Sequence, residues 1–236
     1  MLPLNDIKII DLTRVMAGPW CTQMLADYGA EVIKIERPNM GDDSRAWGPP
    51  FVSVGANDAP VSAYFLSANR GKKSVAFDFT ATEHRDQILA LIAGSDVLIE
   101  NFIPGTLKKY GLDYETIREV NPRIIYCSIS GYGQTGPYAQ RPGYDAVIQG
   151  VGGMMSVTGE KDAAPGGGPQ KVGLPVVDLM TGQFAAIGIL IALWERQASG
   201  LGQRIDLSLL DVQVSALAPL AASFFCDRRN TTKKRQ

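Results

Sequence analysis

Residues 7–35 run through a short β-rich segment (Ile7, Lys8, Ile9, Ile10), a turn at Ala17-Gly18-Pro19, and apolar residues at helical spacing (Trp20, Met24, Leu25, Tyr28) closed by Gly29. A second β-rich segment (Glu31, Val32, Ile33, Lys34, Ile35) follows at once. Strand, helix and strand packed this tightly leave little choice of architecture. Two strands so joined pair in parallel through a right-handed crossover, and helices must cover the sheet they belong to. The alternation continues with strand Ser74 to Asp78, a helix near Glu83 to Ile92, strand Val97 to Glu100, a helix Gly105 to Lys109 and strand Arg123 to Ile129. The pattern predicts an α/β fold built on a doubly wound, mostly parallel sheet. After a loop from Gly131 to Tyr144 and a Gly-rich stretch ending near Pro175, Asp178 opens a long apolar helix. Strand Ile205 to Leu209 and a helix from Val212 to Phe225 complete the pattern. Between Arg37 and about Ser62 the chain is rich in Gly, Pro and Asp without a period, and a loop of that length inside a compact domain usually covers something functional.

With 236 residues, 45% of them hydrophobic, the chain can bury a sizeable core. Its charges nearly cancel, at net −1, so no nucleic-acid partner and no anionic membrane is expected, and any basic site must be local. The longest strongly apolar run, Phe184 to Trp194, falls short of the roughly 20 residues that span a bilayer and reads as a buried helix. The N-terminus has neither a signal peptide nor an Arg-rich presequence, so a cytoplasmic protein is expected, or a mitochondrial one from which a presequence was removed. Cys21, Cys127 and Cys226 are far apart in apolar contexts and read as reduced, buried thiols; no metal is expected. Residues 1–225 read as one large α/β domain, or as one domain plus the start of another. Residues 226–236, with Arg228, Arg229, Lys233, Lys234 and Arg235, read as a disordered basic tail at which the chain ends as if cut.

Gly131-Tyr132-Gly133-Gln134-Thr135-Gly136 spells a dinucleotide fingerprint, but Pro137 and Pro142 enforce a loop where a helix should open, and no acidic residue lies about 20 positions on. A nicotinamide cofactor is therefore not expected. His84 is the only histidine and sits among Glu83, Arg85 and Asp86, which reads as a solvated helix surface. Without a site histidine, a carboxylate must carry any covalent chemistry. Asp178, in Pro175-Val176-Val177-Asp178-Leu179, has a plain structural reading as the N-cap of the apolar helix. A nucleophile there is compatible with the cap, because a helix start favours the ionised carboxylate. Arg37, Arg45, Arg70, Lys72, Lys73, Lys108 and Lys109 fall at predicted strand ends or in loops, where such folds bind phosphates, although each alone reads as a surface charge.

Asp11-Leu12-Thr13-Arg14-Val15-Met16-Ala17-Gly18-Pro19, Gly29 to Pro38, Gly41-Asp42-Asp43, Asn69-Arg70-Gly71-Lys72-Lys73-Ser74, Glu100-Asn101-Phe102-Ile103-Pro104-Gly105 and Ser130-Gly131-Tyr132-Gly133 resemble, in order and spacing, the class III coenzyme A transferases, the CaiB/BaiF or formyl-CoA transferase-like family. Trp47-Gly48-Pro49-Pro50-Phe51 and the run from Tyr126 to Gly136 look most like the succinate–hydroxymethylglutarate (glutarate) type. The resemblance implies a Rossmann-like large domain, a smaller second domain, and a homodimer of interlocked subunits. Members run to about twice this length, so the small domain is expected to be missing here.

Carried over residue by residue, the resemblance makes Asp178 the catalytic aspartate. It places coenzyme A contacts at Met16, Ala17, Arg37, Leu66, Asn69, Lys72, Asn101, Phe102, Lys109 and Tyr132, and puts Tyr144 and Asp145 at the acid substrate. It implies no permanently bound cofactor; a coenzyme A thioester and a small carboxylic acid are the substrates. Asp178 would attack the thioester to give a mixed anhydride, then an enzyme–CoA thioester that an incoming carboxylate resolves. Some relatives carry a polar glutamine where Met16 stands, so a longer acid such as succinate or glutarate is expected. Two alternatives are a 2-methylacyl-CoA racemase and a non-catalytic, truncated CoA-binding fragment. Racemases of the superfamily carry a histidine where this chain has Tyr144, which a phenol cannot replace at neutral pH.

Overall fold

The structure, a computed structural model, describes residues 1–53 and 59–227. In chain order its elements are β1 (Lys8–Asp11), α1 (Ala17–Asp27), β2 (Glu31–Glu36), β3 (Phe51–Val52), β4 (Val61–Ser62), α2 (Ala63–Ser67), β5 (Lys72–Ala76), α3 (Thr82–Ala93) and β6 (Val97–Glu100). There follow α4 (Tyr114–Val120), β7 (Ile125–Ser130), α5 (Asp145–Val151), α6 (Val176–Ser199), β8 (Arg204–Ser208), α7 (Leu209–Ala216) and α8 (Ala218–Asp227). Six strands form one sheet in the order β5-β2-β1-β6-β7-β8, every pair parallel. The central strands β6 and β7 are buried along their whole length, as continuous apolar runs in a parallel sheet should be. On one face Ile9, Ile99, Ile125 and Ile129 pack with Cys21 and Leu25 of α1 and with Val177, Ala185 and Ile189 of α6. On the other, Ile10, Ile33, Leu98 and Tyr126 meet Ile88 and Ile92 of α3 and Ile117 of α4. The doubly wound α/β expectation therefore holds.

The chain winds outward from β1 through β2 to β5, then returns to lay β6 on the other side of β1. This reversal opens a crevice beyond the carboxyl ends of β1 and β6, the place where such sheets bind ligands.

Several expectations need correction. The segment 105–109 forms only a 3-10 turn, Leu107–Tyr110, which Gly111 ends with φ 64°. The expected helix from Val212 to Phe225 is two helices, bent by 54°. Pro219 explains the break, since it donates no N–H and its ring clashes one turn back. Helix α8 carries the chain through Cys226 to Asp227, so the first two residues of the expected tail are helical, and Cys226 is exposed rather than buried. Residues 228–236 of that tail lie outside the described residues. His84 is half-buried rather than solvated: its Nδ1 accepts the Asp78 N–H at 3.1 Å, and its ring stacks on Phe77.

Helix α6 differs most from its reading. It spans 24 residues, long and apolar enough to cross a bilayer by length and composition alone, yet Thr181, Ala185, Ile189 and Ala192 lie in the core. It is also not buried all round. Phe184, Ile187, Ile191 and Trp194, at helical spacing, form an exposed apolar stripe, with Trp194 76% exposed.

Candidate functional site

The crevice is set by the turn between β1 and α1. Val15 adopts φ 68°, a left-handed conformation that a β-branched residue resists. Three clamps hold it there. Both carboxylate oxygens of Asp42 accept the Val15 N–H at 3.1 Å. Lys34, buried in an ion pair with Asp42 at 2.9 Å, donates to the Thr13 carbonyl at 2.8 Å. Asn101, just after β6, accepts the Arg14 N–H at 3.0 Å and donates to the Arg14 carbonyl at 2.9 Å. Burial alone would raise the Asp42 carboxyl, but Lys34 and Ser44 outweigh it and keep the group below the usual carboxylate range. These buried charges thus fix the backbone where a ligand enters.

A cavity of about 370 Å³ opens over this turn, lined by Met16 and Ala17, by Asn101, Phe102 and Pro104 after β6, by Ser130, Gly131 and Arg141 after β7, and by Tyr144 and Asp178. Asp178 occupies the third position of α6 and is not the N-cap. Pro175 precedes the helix without a side-chain cap, and Asp145 supplies the missing acceptor instead. Its Oδ1 takes the backbone N–H of Val177 at 2.8 Å and that of Asp178 at 3.2 Å. Nor does the helix start keep Asp178 readily ionised. Burial, and then the negative charge of Asp145, push its carboxyl up to about 7. Tyr64 of α2 stands near enough that Asp178 and Asp145, after burial, raise its phenol. Glu100 is likewise pushed up to about 7 by burial, while accepting the Phe102 N–H at 2.9 Å.

A second cavity of about 270 Å³ adjoins the first across Arg14, Phe102 and Thr106. Phe77, Phe79, Tyr110 and Phe102 give it aromatic walls, and Arg37, Glu36 and Asp42 lie at its polar side. Arg37 pairs with Asp43, while its buried Nε meets no hydrogen-bond partner among the described residues. Arg14 reaches Asp43 at 3.4 Å and lies over the Phe102 ring, 5.0 Å from its centre. Arg141 stacks 4.1 Å from the centre of the Tyr138 ring and meets no carboxylate among the described residues.

Of the residues carried over from the sequence, Met16, Ala17, Asn101, Phe102, Tyr144 and Asp178 meet at the first cavity, and Arg37 lies at the second. The others lie elsewhere. Lys72 points inward, donating to Asp11, the Pro19 carbonyl and Asn69. Asn69 in turn donates to the Phe65 carbonyl, and Leu66 lies exposed on α2. Lys109 is exposed on the 3-10 turn, and Tyr132 packs on the core and against Tyr138. Asp145 lies beneath the first cavity as a helix cap rather than on its lining. The Gly131–Gly136 run is a loop with left-handed Gly133 and Gly136, and no helix opens before Asp145. Arg14, Arg141 and Tyr64 were not singled out by the sequence reading. Arg14 lies within the Asp11–Pro19 segment, whereas nothing in the local pattern marks Tyr64, which only the fold brings near enough to Asp178 and Asp145 to feel their charge. Among the described residues no group of three or more His, Cys, Asp and Glu could hold a metal ion.

A doubly wound parallel sheet whose switch-point crevice carries a desolvated carboxylate, aromatic walls and several guanidinium groups is an α/β fold with its cavities where such sheets bind ligands. The chain belongs to CoA-transferase family III, which matches residues 4–236. It is 51% identical over 216 residues to the succinate–glutarate CoA-transferase of Agrobacterium fabrum, covering 92% of this chain and 53% of that protein. It is 46% identical over 231 residues to the succinyl-CoA:glutarate CoA-transferase of Homo sapiens, covering 98% of this chain and 50% of that one. Among solved structures, a CaiB/BaiF family protein from Brucella suis superposes with a TM-score of 0.93 at 46% identity, over 98% of this chain and 60% of that chain. The chain thus spans about half the length of the curated relatives it matches.

Proposed function

We propose that this chain carries the coenzyme A site and the nucleophile of a transferase that moves coenzyme A between carboxylic acids, with dicarboxylates of the succinate and glutarate kind as substrates. The observation that carries the reading is the Asp178 carboxylate, desolvated in a cavity at the switch point, while the one histidine lines neither cavity. The second cavity suits a planar base between aromatic rings, with Arg37 beside it. Arg14 and Arg141, with the first turn of α1, suit a diphosphate at the junction. The thioester end then reaches Asp178.

In the reaction the Asp178 carboxylate adds to the thioester carbonyl, and the C–S bond breaks to release coenzyme A as thiolate and leave a mixed anhydride. The thiolate attacks the aspartyl carbonyl, expelling the donor acid as carboxylate and forming an aspartyl–CoA thioester. An acceptor carboxylate attacks that thioester, and the same steps in reverse restore the Asp178 carboxylate and give the new acyl-CoA. Water has to be kept from both intermediates, and the half-buried position of Asp178 favours this. A homodimer is part of the proposal, and the apolar stripe of Phe184, Ile187, Ile191 and Trp194 on α6 supports it.

The test is a peptide mass map after mixing the chain with succinyl-CoA and trapping with hydroxylamine. A modified peptide containing Asp178 is expected. Coenzyme A binding without modification would reduce the chain to a binding fragment, and absence of both would remove the reading.

A further inference from the structure

Both oxygens of the Asp145 carboxylate are engaged within the fold. Oδ1 is shared by the Val177 and Asp178 N–H groups, and Oδ2 accepts from Gln149 Nε2 at 2.6 Å. Gln149 is fully buried and fixed from its other side, since its Oε1 accepts the Val172 N–H at 2.9 Å. The segment carrying Asp145 is pressed onto the end of β7: Gly143 and Gly131 touch so closely that a Cβ on Gly143 would stand 2.2 Å from the Gly131 Cα. Asp145 is therefore a rigid part of the scaffold, although Tyr144 beside it is 66% exposed.

We propose that Asp145 is a positioning residue acting through Asp178, closing the first turn of α6 so that the neighbouring carboxylate is aimed at the cavity, and placing a like charge behind it. Its fixed position makes both effects constant features of the resting site. The like charge opposes ionisation of Asp178 in the resting site. The titratable and charged groups around Asp178 are Asp145 from α5 and Tyr64 from α2, with Tyr144, Arg14 and Arg141 sharing the cavity lining from the loops and Asp43, also on that lining, paired to Arg14. Asp145 is the charged neighbour that raises Asp178, so its neutralisation moves Asp178 toward acid. This inference rests on the reading of Asp178 as the nucleophile, but its test does not.

Infrared titration of the carboxyl groups, in the full chain without coenzyme A or acid, reads the proton on Asp178 directly; subtraction of the spectrum of D178N assigns the band. In D145N the amide oxygen can still accept both N–H groups while its Nδ2 meets Gln149 Nε2 donor to donor, so the Gln149 amide must shift; the midpoint is expected to fall. Each unit by which it falls raises the ratio of ionised to protonated Asp178 about tenfold. An unchanged midpoint in folded D145N would overturn the inference. Should D145N not fold, the unaltered protein decides. Slow hydrogen exchange at the Val177 and Asp178 amides is expected of a capped turn, and exchange at the rate of an open chain would refute the cap. A negative result here, with the Asp178 peptide still modified by succinyl-CoA, leaves the transferase reading standing; the converse result leaves only the scaffold role.

Discussion

Lys72 Nζ lies 3.2 Å from Asp11 Oδ2 in the interior, the two side chains 2% and 0% exposed. The pair ties edge strand β5 to the end of β1 across the intervening β2, and Lys72 also donates to the Pro19 carbonyl at 2.9 Å, inside α1. Burial would raise Asp11, but Lys72, Lys34 and the hydroxyls of Thr13 and Thr22 outweigh it and hold the carboxyl at about 2. Burial lowers Lys72 to about 8, more than Asp11 restores. The two groups therefore pull stability in opposite directions, as buried pairs often do, and the pair is worth little net while either half alone is costly.

Lys72→Met is accordingly expected to destabilise the fold by about 3 kcal/mol at pH 7, because Asp11 is left with only Lys34 as a cation. Urea unfolding measures it. Asp11 contributes stability above its unfolded value of 3.8 that is lost as pH falls toward about 2, so the deficit of the variant should shrink across that window. Lys72 works the other way in the unaltered protein, whose stability should rise between pH 8 and 10.5 as the folded lysine loses its proton first.

Asp178 has the opposite sign to Asp11. Its carboxyl, raised from 3.8 to about 7, favours the folded state when protonated, and that advantage is lost as pH rises through this window. Asp178→Asn is expected to abolish covalent acylation while raising stability at pH 8 by roughly 2–4 kcal/mol, with no gain below pH 4. In the unaltered chain, acylation trapped by hydroxylamine should fall about tenfold per unit below pH 7. Thermal melts at the two pH values and the trapping profile check the two halves of this statement.

The sheet was legible because strand and helix periods alternate cleanly and β6 and β7 read as unbroken apolar runs. Their order was open until the switch between β1 and β6 appeared, since periodicity does not say on which side of β1 a strand lands. Asp178 stood out as an acid at the start of an apolar helix, yet its cap lies 33 residues away in Asp145, a partner that only the fold reveals. Lys72 was misplaced for a related reason: a lysine beside Gly71 and Lys73 looks like a surface charge. Parallel pairing of β5 with β2 brings it to the edge of the sheet, and its long side chain reaches Asp11 from there. The stripe on α6 escaped because the helix is apolar on both faces, and composition cannot show which face the core takes.

The guanidinium groups should separate by experiment. Arg14 and Arg141 line the first cavity, whereas Lys109 sits on an outer turn lining neither cavity. Arg141→Ala and Arg14→Ala are each expected to weaken coenzyme A binding about 10- to 100-fold, the worth of one charge-assisted contact. Lys109→Ala should change it less than about threefold, as surface charges do. Calorimetric titration with coenzyme A at two salt concentrations checks the order, and the arginine variants should show the weaker salt dependence.

Gly182 joins the stability of the fold to the geometry of the site. It lies one helical turn after Asp178 on α6, where α1 and α6 cross, and a Cβ there would stand 2.6 Å from the Ala17 carbonyl and 3.0 Å from the Trp20 ring. Backbone cannot yield as a flexible side chain would, so Gly182→Ala must push α6 away from the first turn of α1. Overpacking of this kind costs about 1–3 kcal/mol, although alanine is the better helix former at an internal position. The same movement shifts Asp178 relative to Met16 and Ala17, which line the cavity from α1, and a misplacement of about 1 Å can cost on the order of a hundredfold in rate. Phe102, Arg37 and the aromatic wall after β5 are anchored in other elements and stay put. Gly182→Ala is therefore expected to lower the melting temperature and slow acylation of Asp178 by about a hundredfold, while coenzyme A binds with nearly unchanged affinity. Single-turnover trapping beside calorimetric titration on the same sample separates the two, and equal losses in binding and acylation would place the damage in the whole fold instead of at Asp178.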